Sequence, residues 1–426
     1  MSTIDSPITM GITLSTAGNY TSPLTITSTG AVHSTGNAIY GPAGTAWTVA
    51  NSGVIGADQN GILLKTGGLV DNTNLISAGF SGIEIDGAAG TVMNSGTIQG
   101  GGTSGITLGA GGTVANYVYG FIYGNAQGVR VAGAAGTLTN SGTISGGIGA
   151  FLAADGTVSN SGTILGNIGV FLAAGGTVTN SGRIASTGSS GTGVYLKVGG
   201  TVTNHGLIAA TVGSSGDGVR LVAGGAVTNN GSIVGSFQGV DLLVGGLVNN
   251  LAFGVIQGGY GVTSLGGVTT IVNAGRISGT SFSGVYLDSG TIIDSGIIDG
   301  SNGIAVAFGT GGSNLLVLEP GYKLYGIAVG GGPAVSDTLQ LAGSSRGTVA
   351  NIGTQFVNFD TVTIAAGADW TVAGSNTIAG GITLAAGATL GVAGTIAAAG
   401  TAVLLSINDV LRLESGWALQ GTVAGG

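Results

Sequence analysis

The sequence contains no cysteine, and only 6% of its 426 residues are charged. The lack of cysteine excludes disulfides and cysteine-based metal sites, but it leaves the cellular compartment open. The few charges are mostly acidic, 17 Asp and Glu against 9 Lys and Arg, which disfavours binding to nucleic acid. Outward positions must therefore carry mainly small and uncharged residues, so we expect a neutral surface that is prone to association.

The chain also lacks a recognisable export or membrane segment. Its N-terminus, MSTIDSPITMGITL, has neither a basic region nor a long apolar run, so it does not resemble a secretory signal peptide. The uncharged residues 384–407 are long enough to cross a bilayer, but four glycines interrupt them. We therefore predict further short strands in that stretch and no membrane span.

Glycine is the abundant residue, with 91 copies, and it punctuates a repeat. The stretch 156–176, GTVSNSGTILGNIGVFLAAGG, returns with changes about a dozen times, and its turn asparagine recurs every 20 to 25 residues. A fixed period of this size is typical of a solenoid. The marker residues are Asn51, Asn72, Asn94, Asn116, Asn140, Asn160, Asn180, Asn204, Asn229, Asn249 and Asn273, with Asp294 in the twelfth position.

Each repeat contains three short apolar segments with period-2 alternation, separated by Gly, Asn or Ser. In the copy quoted above, Val158, Ile164 and the pair Val170 and Leu172 are the inward residues. The sequence therefore predicts an all-β fold, a right-handed parallel β-helix (β-solenoid) with three short strands per coil. Coil length varies mainly between the second and third strands, where we expect loops.

The marker asparagines follow a Thr/Ser-Val-Thr/Ser pattern, so their side chains should point inward. We expect stacked amides that donate to one neighbouring coil and accept from the other, which gives a structural turn ladder. A simpler interpretation is that asparagine tolerates left-handed turn geometry. The ladder positions on which this prediction concentrates are Asn94, Asn140, Asn160, Asn180 and Asn204.

The regularity of the pattern changes along the chain. Residues 1–50 have irregular spacing and are predicted to form an N-terminal cap or atypical coils. Residues 51–310 form the regular array, and residues 311–426 contain longer apolar segments with more aromatics. We predict that this last part continues the solenoid with an altered cross-section.

The recurring GTVTNSGTI…GVxL…GG pattern resembles bacterial β-strand-repeat proteins, including autotransporter passenger domains and filamentous-haemagglutinin-like adhesins. Residues 353–372, GTQFVNFDTVTIAAGADWTV, also resemble a segment frequent in such passengers. The resemblance implies surface display or secretion, adhesion and, in some members, fibre formation. We expect neither an export signal nor a C-terminal membrane barrel in this sequence, so the resemblance does not indicate an export route.

Enzymatic parallel β-helices need clustered carboxylates together with a base or a metal site. The densest acidic group here is Asp288, Asp294 and Asp299, which we interpret as one ladder substitution and two turn residues rather than as a cation site or a carboxylate pair. The two histidines, His33 and His205, have no second ligand nearby in the pattern. We therefore expect no enzyme, no catalytic or metal-binding residues and no cofactor.

The outward position of the third strand carries an aromatic run. Phe151, Phe171 and Tyr195 occupy this position in three consecutive coils, and Arg130 and Arg220 bracket them. The rings should stack about 5 Å apart, which would give a binding strip for sugar rings or for another solenoid. Aromatic residues also favour strands for purely structural reasons.

Together these features predict a non-enzymatic structural or adhesive protein of a bacterial surface or extracellular matrix, acting as a rigid shaft. The alternative is a polysaccharide-binding or polysaccharide-degrading parallel β-helix protein. Expected partners are further copies, as a homo-oligomer or a filament formed by end-to-end stacking, and a glycan or a host or cell-surface ligand. The expected location is extracellular or on the cell surface.

Overall fold

The structure, a computed structural model, describes residues 1–425 and contains no helix there. Strands make up 59% of the chain, and they pair in parallel as a β-solenoid of about 19 turns. This confirms the predicted fold class. The chain separates into two compact units, one of residues 1–222 with 234–236 and the other of residues 223–233 with those from 237 onwards. Gly426, the last residue of the predicted third segment, lies outside the described residues.

Each coil of unit 1 has three faces, which we number in chain order, and most coils have one strand on each face. The first face comprises Ser2–Ile4, Leu24–Ile26, Trp47–Asn51, Gly68–Asn72, Gly90–Asn94, Gly112–Asn116, Gly136–Asn140, Gly156–Asn160, Thr177–Asn180 and Thr201–Asn204. The second comprises Pro7–Ile8, Ala31–Ser34, Val54–Ala57, Leu75–Ala78, Thr97–Gly100, Thr163–Gly166, Arg183–Ser186 and Leu207–Ala210. The third comprises Ile12–Thr13, Ile39–Gly41, Ile62–Leu64, Ile83–Ile85, Ser104–Leu108, Ile168–Leu172, Thr192–Leu196 and Asp217–Leu221. Two long strands, Phe121–Val131 and Thr143–Leu152, run through the second and third faces.

The coils of unit 1 stack in register, so that equivalent residues lie above one another. Val158 pairs with Val178, and Ile164 pairs with Ile184. Because side chains alternate along a strand, stacks of Val, Leu and Ile from the three faces fill the interior. Nearly all of these side chains are fully buried, and each coil depends on its neighbours for this burial.

Close packing between the turns of neighbouring coils explains much of the high glycine content. Gly176 has a φ of +120° and closes the turn from the third face to the first. At Gly162, in the turn after the ladder asparagine, a Cβ would lie 2.1 Å from the carbonyl oxygen of Gly142 in the preceding coil. A side chain there would force two backbones apart.

We expect Gly162→Ala to destabilise unit 1 by about 2 kcal/mol or more, because the clash is with backbone that cannot turn aside. Gly36→Ala is the control, since the nearest atom to a Cβ at Gly36 is 3.8 Å away. Urea unfolding followed by circular dichroism would measure both. Equal stability of the two variants would show that the turns can move apart freely.

Unit 2 starts with the same three-face arrangement. Its first face comprises Ala226–Asn229, Gly246–Asn250, Thr269–Asn273, Gly290–Asp294, Asn314–Leu318 and Asp337–Leu341. The second and third faces comprise Val255–Gly258, Arg276–Gly279, Gln238–Leu242, Tyr260–Ser264 and Val285–Leu287, with Ile297–Phe308 and Lys323–Val329 running through both. Strand Ser232–Gly235 contributes residues to both units.

The parallel pairing in unit 2 continues to its last described strand, but the strands change in length. They are Gly347–Ala350, Phe356–Val357, Thr361–Ile364, Asp369–Thr377, Ile382–Leu384, Thr389–Leu405, Val410–Leu413 and Ala418–Gly425. Asp369–Thr377 pairs with the 17-residue strand Thr389–Leu405 over nine consecutive positions. The predicted boundaries at residues 50 and 310 stay predictions, although residues 2–4 already pair in parallel with residues 24–26.

Charged residues join the last coils of unit 2 on their outer surface. Arg412 donates to both carboxylate oxygens of Asp369, at 2.6 and 3.2 Å. Arg346 reaches the carboxylate of Glu414, with Gly391 lying between the coils that carry them. A Cβ at Gly391 would lie 2.7 Å from Glu414 Oε1, so the glycine leaves room for this contact.

Two coils are longer than predicted in the turn after the first strand. The extra residues lie at 117–119 in unit 1 and at 251–253 in unit 2. In both turns the ladder asparagine bonds to the glycine carbonyl four residues later instead of two, at 3.0 Å for Asn116 and Gly120 and 3.1 Å for Asn250 and Gly254. The prediction that length varies mainly between the second and third strands missed these insertions.

Candidate functional site

The inward asparagines of unit 1 form a continuous hydrogen-bonded ladder. Each Nδ2 donates to the Oδ1 of the next asparagine at 2.7–2.8 Å. The members are Asn51, Asn72, Asn94, Asn116, Asn140, Asn160, Asn180 and Asn204. All are buried. Each buried amide therefore makes with its neighbours the hydrogen bonds that an exposed amide would make with water.

The turn carbonyls fix the orientation of each amide. Asn160 Nδ2 lies 3.1 Å from the carbonyl oxygens of both Gly162 and Arg183. Because these groups can only accept hydrogen bonds, the side-chain nitrogen must face them and the oxygen must face the preceding coil. The amide groups of the ladder residues are thus hydrogen-bonded both within their own turn and to the neighbouring coils.

A second ladder lies in unit 2 and corrects one predicted position. Asn229 donates to Asn250 at 2.9 Å, Asn250 to Asn273 at 2.8 Å, and Asn273 to Asp294 at 2.7 Å. Asn249, the predicted marker, pairs with Thr228 instead and is only half-buried. Since Val248 points inward, strand alternation turns Asn249 outward and Asn250 inward.

The ladder of unit 2 ends at a carboxyl group. Asp294 is fully buried and pairs with the apolar Leu318 in the next coil. Its Oδ1 accepts from Asn273 and from the Gly296 amide, but its Oδ2 has no hydrogen-bond partner among residues 1–425. Burial raises the pKa of Asp294 to about 6, while these two donors act in the opposite direction.

The other acidic and histidine candidates lie apart from Asp294. Asp299 is an outward residue of the second face, where it pairs with Arg276 at 2.6 Å and accepts from Ser278. His33 lies on the second face of unit 1, exposed beside Gly56. His205 occupies a turn, where its backbone amide donates to Asn180. Within residues 1–425, no group of three or more His, Cys, Asp or Glu side chains is placed to hold a metal ion.

The aromatic strip, which we define as Phe151, Phe171 and Tyr195, lies on the third face of unit 1. The ring centroids of Phe151 and Phe171 are 5.2 Å apart, and those of Phe171 and Tyr195 are 4.9 Å apart. The second pair is nearly parallel, at 16°. All three side chains are half-exposed, so they present a row of apolar faces to solvent.

The two arginines beside the strip are held differently. The Arg130 guanidinium lies 5.9 Å from the centroid of Phe151, which is a cation–π distance. Arg220 bonds to Asp217 at 3.3 Å within its own strand. Arg130 pairs with Phe151 and Arg220 pairs with Tyr195, so the strip is a stacking surface with an arginine at each end. Such a surface suits the apolar face of a sugar ring or an aromatic group.

Sequence reasoning missed a second aromatic stack, in unit 2. Tyr260 and Phe282 have centroids 4.5 Å apart with planes at 16°, and Phe237 meets Tyr260 edge-on at 6.1 Å. Phe237 and Phe282 lie in turns, whereas Tyr260 begins a strand. These three residues do not share one strand position, so periodicity did not predict the stack. The sequence did contain one signal for it, an aromatic residue in each of three consecutive coils.

Comparison with protein-family models, with curated proteins and with solved structures gives no match. The described residues also include no helix with the length and apolar character that a membrane crossing requires.

Proposed function

We propose that this chain is a non-enzymatic structural or adhesive β-solenoid of a bacterial surface or extracellular matrix. The observation that carries the proposal is the in-register asparagine ladder, which commits the recurring buried polar group of each coil to holding the next coil. A protein whose repeated polar chemistry is structural suits a mechanical role, in which a stable scaffold presents an outer surface.

The resemblance to autotransporter passengers and filamentous-haemagglutinin-like adhesins supports the same proposal. The repeat, of which GTVSNSGTI at residues 156–164 is one copy, carries this resemblance, and the low charge of this chain fits a surface that associates with others. Copies of this chain then associate with one another, including by end-to-end stacking into a filament. Negative-stain electron microscopy over a concentration series tests it, and particles that stay single at every concentration would contradict self-assembly.

The location and the mechanical role have a direct test in the cells that produce the protein. Immunogold labelling of intact cells should place it outside the cell or in the matrix, and deletion should reduce attachment to surfaces. Purified protein should release neither reducing ends nor unsaturated products from polysaccharides. Labelling confined to the cytoplasm would contradict the proposed location, and released sugar products would favour the degrading alternative.

Polysaccharide binding without cleavage is the second candidate function, and the aromatic strip favours it. We expect Phe171→Ser to weaken binding to a glycan-coated surface at least tenfold, because it removes the ring shared by both aromatic contacts. Phe80→Ser is the control, since Phe80 is 53% exposed and belongs to no ring pair among residues 1–425. Surface plasmon resonance measures both, and equal loss in the two variants would remove the strip from the binding site.

A further inference from the structure

A trough of about 320 Å³ lies along the outside of unit 2, next to the turns that follow the first strands. Phe253 stands at one end and is 83% exposed. Arg276 and Lys323 line the trough further along, at equivalent positions of the second strands. These two positions are two coils apart, which corresponds to about 10 Å of strand spacing.

The local sequence explains both the exposed ring and the bare floor. The longer turn between Asn250 and Gly254 holds Phe253 outside the coil, because the asparagine amide bonds four residues ahead. The floor contains Gly275 and Gly296, at which a Cβ would lie 2.3 Å from the carbonyl oxygens of Gly254 and Gly275. Side chains cannot fill the trough at these positions.

Two cations line the trough of this acidic protein, and one of them, Arg276, is paired with Asp299. The chain has only nine Lys and Arg and a net charge of −8. Arg276 uses Nη2 to bind Asp299 at 2.6 Å, and among residues 1–425 its other guanidinium nitrogens have no hydrogen-bond partner. The ammonium group of Lys323 likewise bonds to none of the described residues, and its side chain is exposed. Donors on both cations are thus available to an anionic ligand.

We propose that this trough binds a polysaccharide whose sugar rings carry carboxylates. One ring stacks on Phe253, while carboxylates of the same and following sugars bond to Arg276 and Lys323. The trough volume is at the small end of ligand sites, which suits a short stretch of a linear polymer. The inference deepens the second candidate function, polysaccharide binding, at a site separate from the aromatic strip, and it does not depend on the cellular location.

Two other polymers fit the trough less well. The floor backbone is already bonded between coils, with the Arg276 amide 2.9 Å from the Gly254 carbonyl oxygen and the Lys323 amide 2.8 Å from that of Gly296. An extended peptide would therefore find no open strand edge to pair with. A nucleic acid would need many more cations than these two to offset repulsion from an acidic chain.

The test uses the full chain and isothermal titration calorimetry with oligogalacturonate, a carboxylated glycan. We expect measurable binding that weakens with added salt, and at least tenfold weaker binding for both Phe253→Ser and Lys323→Gln. Neither side chain is buried, so circular dichroism should be unchanged. The matched control is Tyr119→Ser, since Tyr119 is 89% exposed on the equivalent long turn of unit 1, where no cation is in the adjacent strand position.

Five outcomes would overturn the proposal, four of which concern the ligands and the two trough variants. These four are no binding of oligogalacturonate, equal binding of its methyl-esterified form, equal or tighter binding of single-stranded RNA, and unchanged affinity in either trough variant. A loss of affinity in Tyr119→Ser as large as in Phe253→Ser would also overturn it, because the trough would then not be the site. Loss confined to the two trough variants supports it.

Discussion

Asn250→Ala should destabilise unit 2 by about 3 kcal/mol, whereas Asn249→Ala should change its stability by no more than about 0.5 kcal/mol. The two residues are neighbours of the same type, but only Asn250 is in the ladder. Its Nδ2 donates to Asn273 Oδ1 at 2.8 Å and lies 3.1 Å from the Gly254 and Arg276 carbonyl oxygens. Without the amide, Asn273 Oδ1 loses a donor in a fully buried position.

Both variants remove an asparagine from the same strand, so the difference between their stabilities reports the contribution of the ladder hydrogen bonds. Urea unfolding gives the difference in free energy, and amide hydrogen exchange shows where the coils open. In a solenoid each coil contacts only its neighbours, so we expect the loss of protection to centre on the coils of Asn229, Asn250 and Asn273. If Asn249→Ala cost as much as Asn250→Ala, the asparagine ladder would not be the source of stability.

Asp294→Asn should stabilise unit 2 by about 3 kcal/mol at pH 8 and leave its stability nearly unchanged at pH 3. The pKa of Asp294 is raised from 3.8 to about 6 by burial. The folded protein therefore keeps the proton at pH values where the unfolded chain releases it. The stability associated with this carboxyl group is fully present below about pH 4 and is lost as the pH rises through about 6.

An asparagine at position 294 carries no such ionisation, and it places an amide nitrogen where Oδ2 has no partner. Chemical denaturation at a series of pH values should show a stability difference between variant and wild type that grows between about pH 4 and pH 6. Glu319→Gln is the control, because Glu319 is only half-buried and its carboxylate bonds to none of the described residues. A constant difference across this pH range would show that ionisation of Asp294 does not limit stability.

These two predictions concern the same physical feature. Each coil of the ladder buries one polar side chain at the turn, and burial is tolerable only where neighbouring coils supply partners. Asn250 has partners on both sides, while Asp294 has Asn273 on one side and Leu318 on the other. The ladder therefore stabilises coils in its interior and carries an energetic penalty where its polar partners end.

The sequence alone was enough to predict the fold, the interior and the aromatic strip. Strand alternation assigns Val158 and Ile164 to the interior, and a parallel register places residues one repeat apart above one another. Phe171 and Tyr195 share a strand position, so their stacking followed from the same rule. The corrected ladder position could also have been predicted, since alternation from the inward Val248 already points Asn250 inward.

Only the tertiary structure shows which residues are brought together by turns of unequal length. Phe253, Arg276 and Lys323 are up to 70 positions apart in the sequence and follow no single period, yet they line one trough. The burial of Asp294 without a partner for Oδ2 likewise depends on Leu318, which belongs to a later coil with a different pattern. Periodicity predicts contacts between equivalent positions, whereas contacts between unlike positions depend on the path of each turn.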